Sequence, residues 1–464
     1  MDDEIILSGP SDPGEEMSIY LADSLIQEIV AAIRTQDSDT VNGFLRDLSP
    51  ADTADLLAKI GEDYRMELLS LYGDSINPGA FVEMDRELCR ACLSVLSSTQ
   101  IASIISALES DDALGLLGPL DVDVQRAVIR KLSDKTRVVL EEGLSFPEHS
   151  AGRLMKREFV AIPQFWTVGK TIDYLRAAST DLPEDFLNIY VLSPTFNIIG
   201  EIPLNRLLRS LRTVKIEALA LDHVHTIPAT MDQEEAAHLF RRENLLSAPV
   251  VDDENRMVGV ITSDDIIDVI DMEAEEDILK MAGVDQGDLY RAAMSTSGAR
   301  FRWLFINLLT AIAASIVISL FDGTIDQIVA LAILMPIVAS MGGNAGTQTL
   351  TVAVRALATK EISGTNMFRV IGKETMVGAL NGIAFALITG AVTALWFSDY
   401  VLGSVIAMAM VINMIVAGLF GAGIPILVQR AGGDPAISST VLLTTVTDVV
   451  GFFAFLGLAT LLMA

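Results

Sequence analysis

A single carboxylate lies in the middle of the last apolar segment of the chain. Residues 435–464 contain one charged residue, Asp448, with Thr444, Thr445 and Thr447 nearby. A charge at the centre of an apolar span costs about 2.5–3.5 kcal/mol on insertion scales, so such an acid usually serves a function. The apolar segments contain no Lys, Arg or His that could pair with it. Two interpretations follow: a structural acid bonded by the threonine hydroxyls, or, as we favour, an acid whose counter-ion is a mobile cation from solution.

A second group of oxygen ligands is expected in an earlier apolar segment, residues 327–354. Pro336 and the sequence Met-Gly-Gly-Asn-Ala-Gly-Thr-Gln at 341–348 interrupt its helical pattern. Broken backbone is tolerated at membrane depth only where protein or a water-filled cavity satisfies it. Free carbonyls beside Asn and Thr side chains would be hard oxygen ligands, which suit Mg²⁺, Ca²⁺ or the water bound to these ions.

Acidic side chains are also concentrated outside the apolar segments. Residues 264–277 contain eight acids and no basic residue, and Asp264, Asp268 and Asp271 share one helical face. Like charges at this spacing weaken a helix by a few tenths of a kcal/mol per pair. A second acidic region includes Glu109, Asp111, Asp112, Asp121 and Asp123. These acids either form a solvated surface or are bridged by divalent cations.

Five apolar segments are each long enough to cross a bilayer. A hydrocarbon core of about 30 Å requires roughly 20 helical residues. The segments are 303–321, 327–354, 375–398, 400–429 and 435–464. In the third of them, small residues recur at every fourth position, a pattern that lets helices pack closely. These residues are Gly378, Gly382, Ala386 and Gly390.

The basic residues between the segments predict the orientation of the chain. An odd number of spans puts the two termini on opposite sides of the membrane. Four Lys and Arg residues lie in the 355–373 connection and Arg430 follows the fourth segment, whereas the connections at 322–326 and 399 have none. Because Lys and Arg favour cytoplasmic loops, the N-terminus is predicted in the cytoplasm and the C-terminus outside.

The remaining 300 residues are strongly acidic. They hold 26 basic and 54 acidic residues, close to the whole net charge of −29. This charge argues against nucleic-acid binding and favours a cation as partner. The N-terminus shows no basic and apolar signal-peptide pattern, so this part is expected to stay in the cytosol. Cys89 and Cys92 form a CxxC pair without a second such pair, and an inert cytosolic thiol pair is favoured over a redox or metal site.

The acidic part divides into two regions. Short amphipathic helices are predicted over 24–145, beginning at signals such as Ser49-Pro50-Ala51-Asp52. From about 150 to 270, strands and helices alternate and the pattern repeats. Ile198-Ile199-Gly200-Glu201-Ile202 corresponds to Met257-Val258-Gly259-Val260-Ile261, 59 residues later. The sequence therefore predicts a duplicated α/β unit.

Several motifs resemble the MgtE family of magnesium channels along nearly the whole chain. They are Pro336 with Gly342-Gly343-Asn344-Ala345-Gly346-Thr347-Gln348, Arg355-Ala356-Leu357-Ala358, and Asp434-Pro435-Ala436 followed fourteen residues later by Asp448. The duplicated unit resembles a CBS-domain pair, and Ala151-Gly152-Arg153-Leu154-Met155 resembles the family's entry to it.

The resemblance implies a multidomain homodimer. It would comprise an all-α N-terminal domain, tandem α/β CBS domains and an α-helical membrane domain with five spans. The expected boundaries are a flexible tail at 1–23, a helical domain at 24–148, the CBS pair at 149–272, a connecting plug helix at 273–299 and the pore domain at 300–464. The second and fifth spans would line a pore on the dimer axis.

The resemblance also implies functional sites. In the pore, Mg²⁺ would be bound by Asp448, Asn344, Gly342, Gly343 and Thr444. Cytosolic Mg²⁺ would be sensed by Asp265, Asp268, Asp271, Glu273, Glu276 and Asp277, with Asp111 and Asp112 as weaker candidates. Thr262 and Asp265 match the pattern by which CBS domains hold a nucleotide ribose, so ATP or another adenine nucleotide is a candidate ligand. The first repeat has Pro203 and Arg206 instead.

These observations predict a transport protein and not an enzyme. The favoured hypothesis is a passive Mg²⁺ uptake channel of the inner membrane, embedded in the lipid bilayer and closed by cytosolic Mg²⁺. One alternative is the same architecture conducting Co²⁺, Ni²⁺ or Mn²⁺. The absence of His and Cys from residues 301–464 argues against selection of these softer metals. The other alternative is a membrane-anchored CBS nucleotide sensor, which would have no use for Asp448.

Overall fold

The computed structural model describes residues 21–178, 182–183, 185–221, 223–284, 291 and 293–463, with only the backbone of 438 and 439. It comprises two compact units, residues 1–270 and 271–464. The predicted tail at 1–23 lies outside the described residues except for its last three. Each unit is described below by itself.

Short helices form the first part of unit 1. They are α1 (Asp23–Thr35), α2 (Ser38–Asp47), α3 (Pro50–Lys59), α4 (Glu62–Tyr72), α5 (Arg86–Val95), α6 (Ser98–Ser106), α7 (Ser110–Leu117), α8 (Val122–Ile129) and α9 (Asp134–Ser145), with 3₁₀ turns at Gly73–Ser75 and Pro78–Phe81. The predicted start of α3 is confirmed, because the Ser49 side chain accepts a hydrogen bond from the Asp52 N–H and Pro50 occupies the first turn. A cap of this kind satisfies the free N–H groups at the start of a helix, so one short helix can follow another after a short connection.

Both cysteines lie on the buried face of α5. Cys89 is 5% and Cys92 1% exposed. Burial raises the pKa of the Cys89 thiol to about 12 and that of Cys92 to about 11. Thiols with such values are almost fully protonated at neutral pH, and the thiolate is the reactive form. The pair therefore packs in the helical core as small apolar side chains.

The predicted duplication appears as two three-stranded sheets of the same topology. The short helix α10 (Ala151–Leu154) comes before the first repeat. That repeat contains β1 (Ala161–Pro163), α11 (Val168–Ala177), β2 (Asn188–Leu192), β3 (Ile198–Pro203) and α12 (Leu204–Leu208). The second contains β4 (Ile227–Pro228), α13 (Gln233–Glu243), β5 (Ser247–Val251), β6 (Met257–Thr262) and α14 (Ser263–Ala282). In each sheet the first strand pairs parallel with the second, and the second pairs antiparallel with the third.

Equivalent glycines mark the same irregularity in both sheets. Gly200 pairs with Val191 and Gly259 with Val250, and in each case the register shifts at the following residue. A Cβ at Gly200 would lie 2.8 Å from the Ala220 Cβ, and one at Gly259 would lie 2.6 Å from the Met155 sulfur. Glycine is therefore required at both places for close packing against the strand.

The helix after β6 is longer than its counterpart after β3. α12 ends at Leu208, whereas α14 continues to Ala282 and contains the boundary between the two units. The connecting helix predicted over 273–299 is therefore divided: its first part belongs to α14, and residues 293–299 begin the next helix. Residues 285–290 and 292 of that prediction lie outside the described chain.

Unit 2 contains long apolar helices. They are α15 (Ala293–Ser319), α17 (Ala330–Ala358), α18 (Met367–Phe397), α19 (Tyr400–Arg430) and α20 (Pro435–Met463), with the short α16 (Asp322–Gln327) between the first two. Among the described residues, these five long helices have the length and apolar composition needed to cross a membrane. The predicted five spans are thus confirmed.

Helices α18 and α19 pack through glycines. A Cβ at Gly378 would clash with the Met414 carbonyl oxygen, one at Gly418 would lie 2.5 Å from the Glu374 oxygen, and one at Gly403 would lie 2.7 Å from the Gly390 oxygen. The glycine stripe predicted for the third span is therefore the surface through which two backbones approach closely. Only Ser398 and Asp399 connect these helices, and the Asp399 side chain caps α19 by accepting from the Val401 and Leu402 N–H groups.

Candidate functional site

The second span is an unbroken helix, contrary to the sequence prediction. α17 is helical from Ala330 to Ala358, with Pro336 inside it and Gly342, Gly343 and Gly346 in its middle. A glycine costs about 1 kcal/mol in a helix, whereas each unsatisfied backbone group in hydrocarbon costs several. The helix therefore continues through these residues. Pro336 has no N–H to donate to the Ala332 carbonyl, so the helix lacks one backbone hydrogen bond at this point.

The α17 glycines make room for a buried amide of α19. Asn413 is fully buried, and its Nδ2 donates to the Val338 carbonyl oxygen at 2.9 Å. A Cβ at Gly342 would clash with this amide, and a Cβ at Gly451 of α20 would lie 2.7 Å from its Nδ2. Gly342, Asn413 and Gly451 therefore join three helices near their midpoints. The sequence analysis missed Asn413, a lone polar residue in an apolar span.

Asp448 lies three residues before Gly451 in α20, about one helical turn from this junction. Its side chain is half-buried. The neighbouring hydroxyls of Thr444, Thr445 and Thr447 all donate to carbonyl oxygens of their own helix, at 2.6–3.1 Å. No described residue forms a hydrogen bond or an ion pair with the Asp448 carboxylate. The structural interpretation of this acid, in which the threonine hydroxyls bond it, therefore finds no support in the geometry.

The other predicted pore ligands differ in exposure. Gly342 is buried against Asn413, Gly343 is half-buried with open space beside its Cα, and Asn344 is exposed on the single chain. The Asn344 Nδ2 lies 3.4 Å from the Ser340 Oγ. Gly342 thus faces the other helices of the chain, while Gly343 and Asn344 face away from them. The Gly343 carbonyl oxygen accepts from the Thr347 hydroxyl at 2.9 Å.

The end of α14 contacts the start of α20 within unit 2. The Lys280 ammonium donates to the Asp434 carboxylate at 2.9 Å and also pairs with Glu276. The Thr440 hydroxyl donates to the Met281 carbonyl oxygen at 3.1 Å. Burial opposes the charge of Lys280, but these carboxylates raise its pKa. The sequence analysis missed Lys280, although it is the first basic residue after the acidic run.

The predicted sensor acids are distributed along α14. Asp268 and Asp271 are exposed, while Asp265, Glu273, Glu276 and Asp277 are half-buried. Burial and then the nearby Asp434 raise the pKa of Asp277. Within the part of the chain that the structure describes, no group of three or more His, Cys, Asp or Glu side chains is arranged to hold a metal ion. Any divalent ion here would be bound through water or by carboxylates that move together.

Two acids of the helical domain lie near the start of α14. Asp111 and Asp112 occupy the first turn of α7, and the Lys156 ammonium lies between this turn and Asp264 and Asp265. Burial, followed by the charges of Asp265 and Asp112, raises the pKa of Asp111, and the Lys156 ammonium opposes this rise. Burial raises the pKa of Asp112 to about 6. Sequence reasoning predicted two opposed acidic regions here but missed the lysine between them.

The predicted nucleotide residues are adjacent and already bonded to each other. The Thr262 N–H and hydroxyl donate to one oxygen of Asp265, at 3.1 and 2.6 Å. The other Asp265 oxygen lies 3.3 Å from the Lys156 ammonium. At the equivalent end of β3, Pro203 has no N–H to donate. The first repeat therefore lacks the backbone donor that Thr262 provides in the second repeat.

Comparisons with known proteins cover each of these regions. Residues 335–458 match the MgtE family model, described as a divalent cation transporter, 48–149 match the MgtE intracellular N domain, and 216–271 match the CBS domain. The magnesium transporter MgtE of Bacillus subtilis is 29% identical over 94% of this chain and 97% of its own. That of Thermus thermophilus is 34% identical over 72% of this chain and 74% of its own.

Two solved structures also resemble about half of this chain. The soluble part of a magnesium transporter covers 54% of this chain and 98% of its own, with 23% identity and a TM-score of 0.46. The cytosolic domain of the Mg²⁺ channel MgtE in complex with ATP covers 53% of this chain and 99% of its own, with 26% identity and a TM-score of 0.48.

Proposed function

The chain belongs to the MgtE family of magnesium transporters, and from this premise we propose that it is a passive Mg²⁺ uptake channel gated by cytosolic Mg²⁺. The observation that carries the proposal is Asp448, a half-buried acid in mid-span without a partner among the described residues. Mg²⁺ sheds its water reluctantly, so a site for the hydrated ion requires carboxylates, carbonyls and space for water. Asp448 supplies the carboxylate and the exposed Asn344 an amide oxygen, while the Gly343 carbonyl already accepts a hydrogen bond from the Thr347 hydroxyl at 2.9 Å.

A homodimer would place a second chain against the exposed Asn344 and the half-buried Gly343. In a pore on the dimer axis, two Asp448 side chains would face each other, and Gly343, Asn344 and Thr444 would complete each half. Two charges moving through 100 mV release roughly 4.6 kcal/mol, so inward flux needs no ATP. With the basic 355–373 connection in the cytoplasm, we propose an inner-membrane protein with a cytoplasmic N-terminus and Ala464 outside.

Transport can be tested with the purified chain in liposomes that contain a Mg²⁺-sensitive dye. We expect Mg²⁺ entry that follows an imposed potential without ATP. Flux of Co²⁺, Ni²⁺ or Mn²⁺ in place of Mg²⁺ would favour the alternative cargo. No flux of any divalent ion would favour the nucleotide-sensor alternative.

For gating, we propose that cytosolic Mg²⁺ binds the α14 acids. They are Asp265, Asp268, Asp271, Glu273, Glu276 and Asp277. Binding would relieve their mutual repulsion and stabilise α14 in the closed state. Limited proteolysis with and without millimolar-range Mg²⁺ tests this idea in the full chain. We expect Mg²⁺ to slow cleavage near α14, and unchanged cleavage would mean that the acids form only a solvated surface.

The Lys280→Met variant should conduct more Mg²⁺ than the wild type when cytosolic Mg²⁺ is high. Lys280 links the end of α14 to Asp434 at the start of α20, so its loss weakens a contact of the closed state. The Lys280 and Asp434 side chains are about 30% exposed, and a partly exposed ion pair contributes little free energy. We therefore expect the Mg²⁺ flux to rise by about two- to fivefold and no more. Flux at saturating Mg²⁺ measures it, with Lys135→Met of the helical domain as a charge-matched control. Equal flux in both variants would contradict a gating role for this contact.

We also propose that an adenine nucleotide binds at Thr262 and Asp265. The Asp265 carboxylate suits ribose hydroxyls, but it is shared with Thr262 and Lys156. Titration with ATP, followed by tryptophan fluorescence or calorimetry, tests the site. Asp265→Asn should weaken binding, and equal binding in the variant would exclude this position.

A further inference from the structure

The Lys156 ammonium occupies the position where the two acidic regions of unit 1 meet. Its Nζ lies 3.0 Å from Glu109 and 3.9 Å from Asp111 of the helical domain. It also lies 3.3 Å from both Asp264 and Asp265, in the first turn of α14. The lysine side chain is only 15% exposed. The Lys156 ammonium therefore contacts carboxylates of both the helical domain and α14.

Two hydrogen bonds fix the backbone of Lys156 to β6. Its N–H donates to the Val260 carbonyl at 2.7 Å, and the Val260 N–H donates back to the Lys156 carbonyl at 2.9 Å. Met155, the preceding residue, is buried in the core of the second repeat. Lys156 is thus attached to β6 through its backbone, and its ammonium lies beside Asp111 of α7.

The two following residues join the same surfaces. The Arg157 Nη2 lies 2.8 Å from the Glu142 carboxylate of α9, and its Nη1 donates to the Val258 carbonyl at 2.7 Å. The Ser110 hydroxyl donates to the Glu158 carboxylate at 2.7 Å and accepts from the Arg157 N–H at 2.8 Å. Three consecutive residues therefore connect the helical domain to the second repeat.

The carboxylates at this contact would repel one another without the lysine. The Asp111 side chain is 6% exposed, and its Oδ1 is buried without a hydrogen-bond partner among the described residues. Removing one partner from a buried ion pair is strongly destabilising because the remaining charge is uncompensated. The Lys156 ammonium supplies the positive charge that these carboxylates share.

We propose that Lys156 is a built-in cation that holds the helical domain on the second CBS repeat in place of a divalent ion, so that this contact forms without Mg²⁺. Its regulatory consequence rests on the proposed function: the response to Mg²⁺ would depend on the α14 acids beyond Asp265. Removing the lysine would convert the contact into a latent divalent-cation site, with Glu109, Asp111, Asp264 and Asp265 as the acids around it.

Hydrogen–deuterium exchange of the full-length protein in detergent tests this proposal. The informative peptides cover 107–117 and 258–268, and those covering β2 report whether the first repeat stays folded. In the wild type we expect the same protection in EDTA and in millimolar-range Mg²⁺. In Lys156→Met, exchange in EDTA should be about tenfold faster or more, because the contact opens, and Mg²⁺ should restore protection.

Two further variants keep the result interpretable. Lys135→Met changes the net charge equally in an exposed part of the helical domain and should behave like the wild type. The double variant Lys156→Met with Asp111→Asn removes the buried charge together with the lysine. It should be protected more than Lys156→Met in EDTA and should respond less to Mg²⁺.

Two results would overturn the proposal. One is a wild-type contact that is protected only with Mg²⁺, and the other is a Lys156→Met contact that stays protected in EDTA. If Lys156→Met does not fold, the wild-type measurement and the double variant still decide the question. The exchange measurement involves no flux, so failure of the channel assignment and failure of this proposal give different results.

Discussion

Replacing Asp448 by Asn is expected to reduce Mg²⁺ flux into liposomes by about 100-fold. The substitution keeps the shape of the side chain and removes its charge. A dication separated from a carboxylate by one water layer is attracted by a few kcal/mol at an effective protein dielectric of about 20, and each 1.4 kcal/mol corresponds to a tenfold change. The same substitution relieves the cost of a charge in mid-span, about 2.5–3.5 kcal/mol. Stability in detergent should therefore rise or stay equal while flux falls.

Thr445→Val is the matched control for this prediction. It is close to isosteric and lies in the same helix one turn away. Among the described residues, the hydroxyl that it removes bonds to the Val441 carbonyl of α20 alone. Its flux should stay within about twofold of the wild type, because an intrahelical threonine bond contributes little. Initial rates of dye fluorescence, normalised to the amount of reconstituted protein, measure both variants. Wild-type flux in Asp448→Asn would remove the pore assignment.

The Gly342→Ala and Gly343→Ala variants should differ sharply although the residues are neighbours. A methyl group at 342 would overlap the buried Asn413 amide, whereas a methyl at 343 meets nothing within 4 Å. Overpacking of a well-packed core typically costs about 1–3 kcal/mol, and here it would also disturb the Asn413 bond to Val338. We expect a lower melting temperature and at least about tenfold lower flux in Gly342→Ala, since α17 would be displaced relative to α20.

Thermal unfolding of both variants in the same detergent checks this prediction. Gly343→Ala should match the wild type or exceed it slightly, because alanine favours helix over glycine by about 1 kcal/mol. Any loss of flux in this variant would then report on the outward-facing surface and not on folding. Equal stability of the two variants would mean that Asn413 can move aside, and the three-helix junction would lose its importance.

Features based on local pattern were predictable from the sequence. The five spans follow from apolar length, and the N-cap at Ser49 follows from its hydrogen-bonding chemistry next to Pro50. The duplicated sheet follows from the repeated strand pattern around Gly200 and Gly259, which occupy equivalent register positions. In each case a periodicity or a residue type determines a local structure, so no knowledge of distant contacts is needed.

Features based on distant contacts were not predictable. Asn413 bonds a residue 75 positions away, Lys156 one 108 away and Lys280 one 154 away. No spacing within one segment indicates such pairs. The prediction of a broken second span was wrong for a related reason. It considered Pro336 and the glycines by their intrinsic preferences, but the hydrocarbon environment and the helices that pack on them outweigh those preferences.

The two-residue connection and the glycine contacts between α18 and α19 have a consequence for opening. Backbones that touch through glycine along their length cannot slide without collision, and a link as short as Ser398–Asp399 leaves them little freedom to separate. These two helices should therefore move together as one rigid body. In the proposed pore, widening would then require α17 and α20 to tilt relative to α18 and α19, about the contact of Gly342 and Gly451 with Asn413.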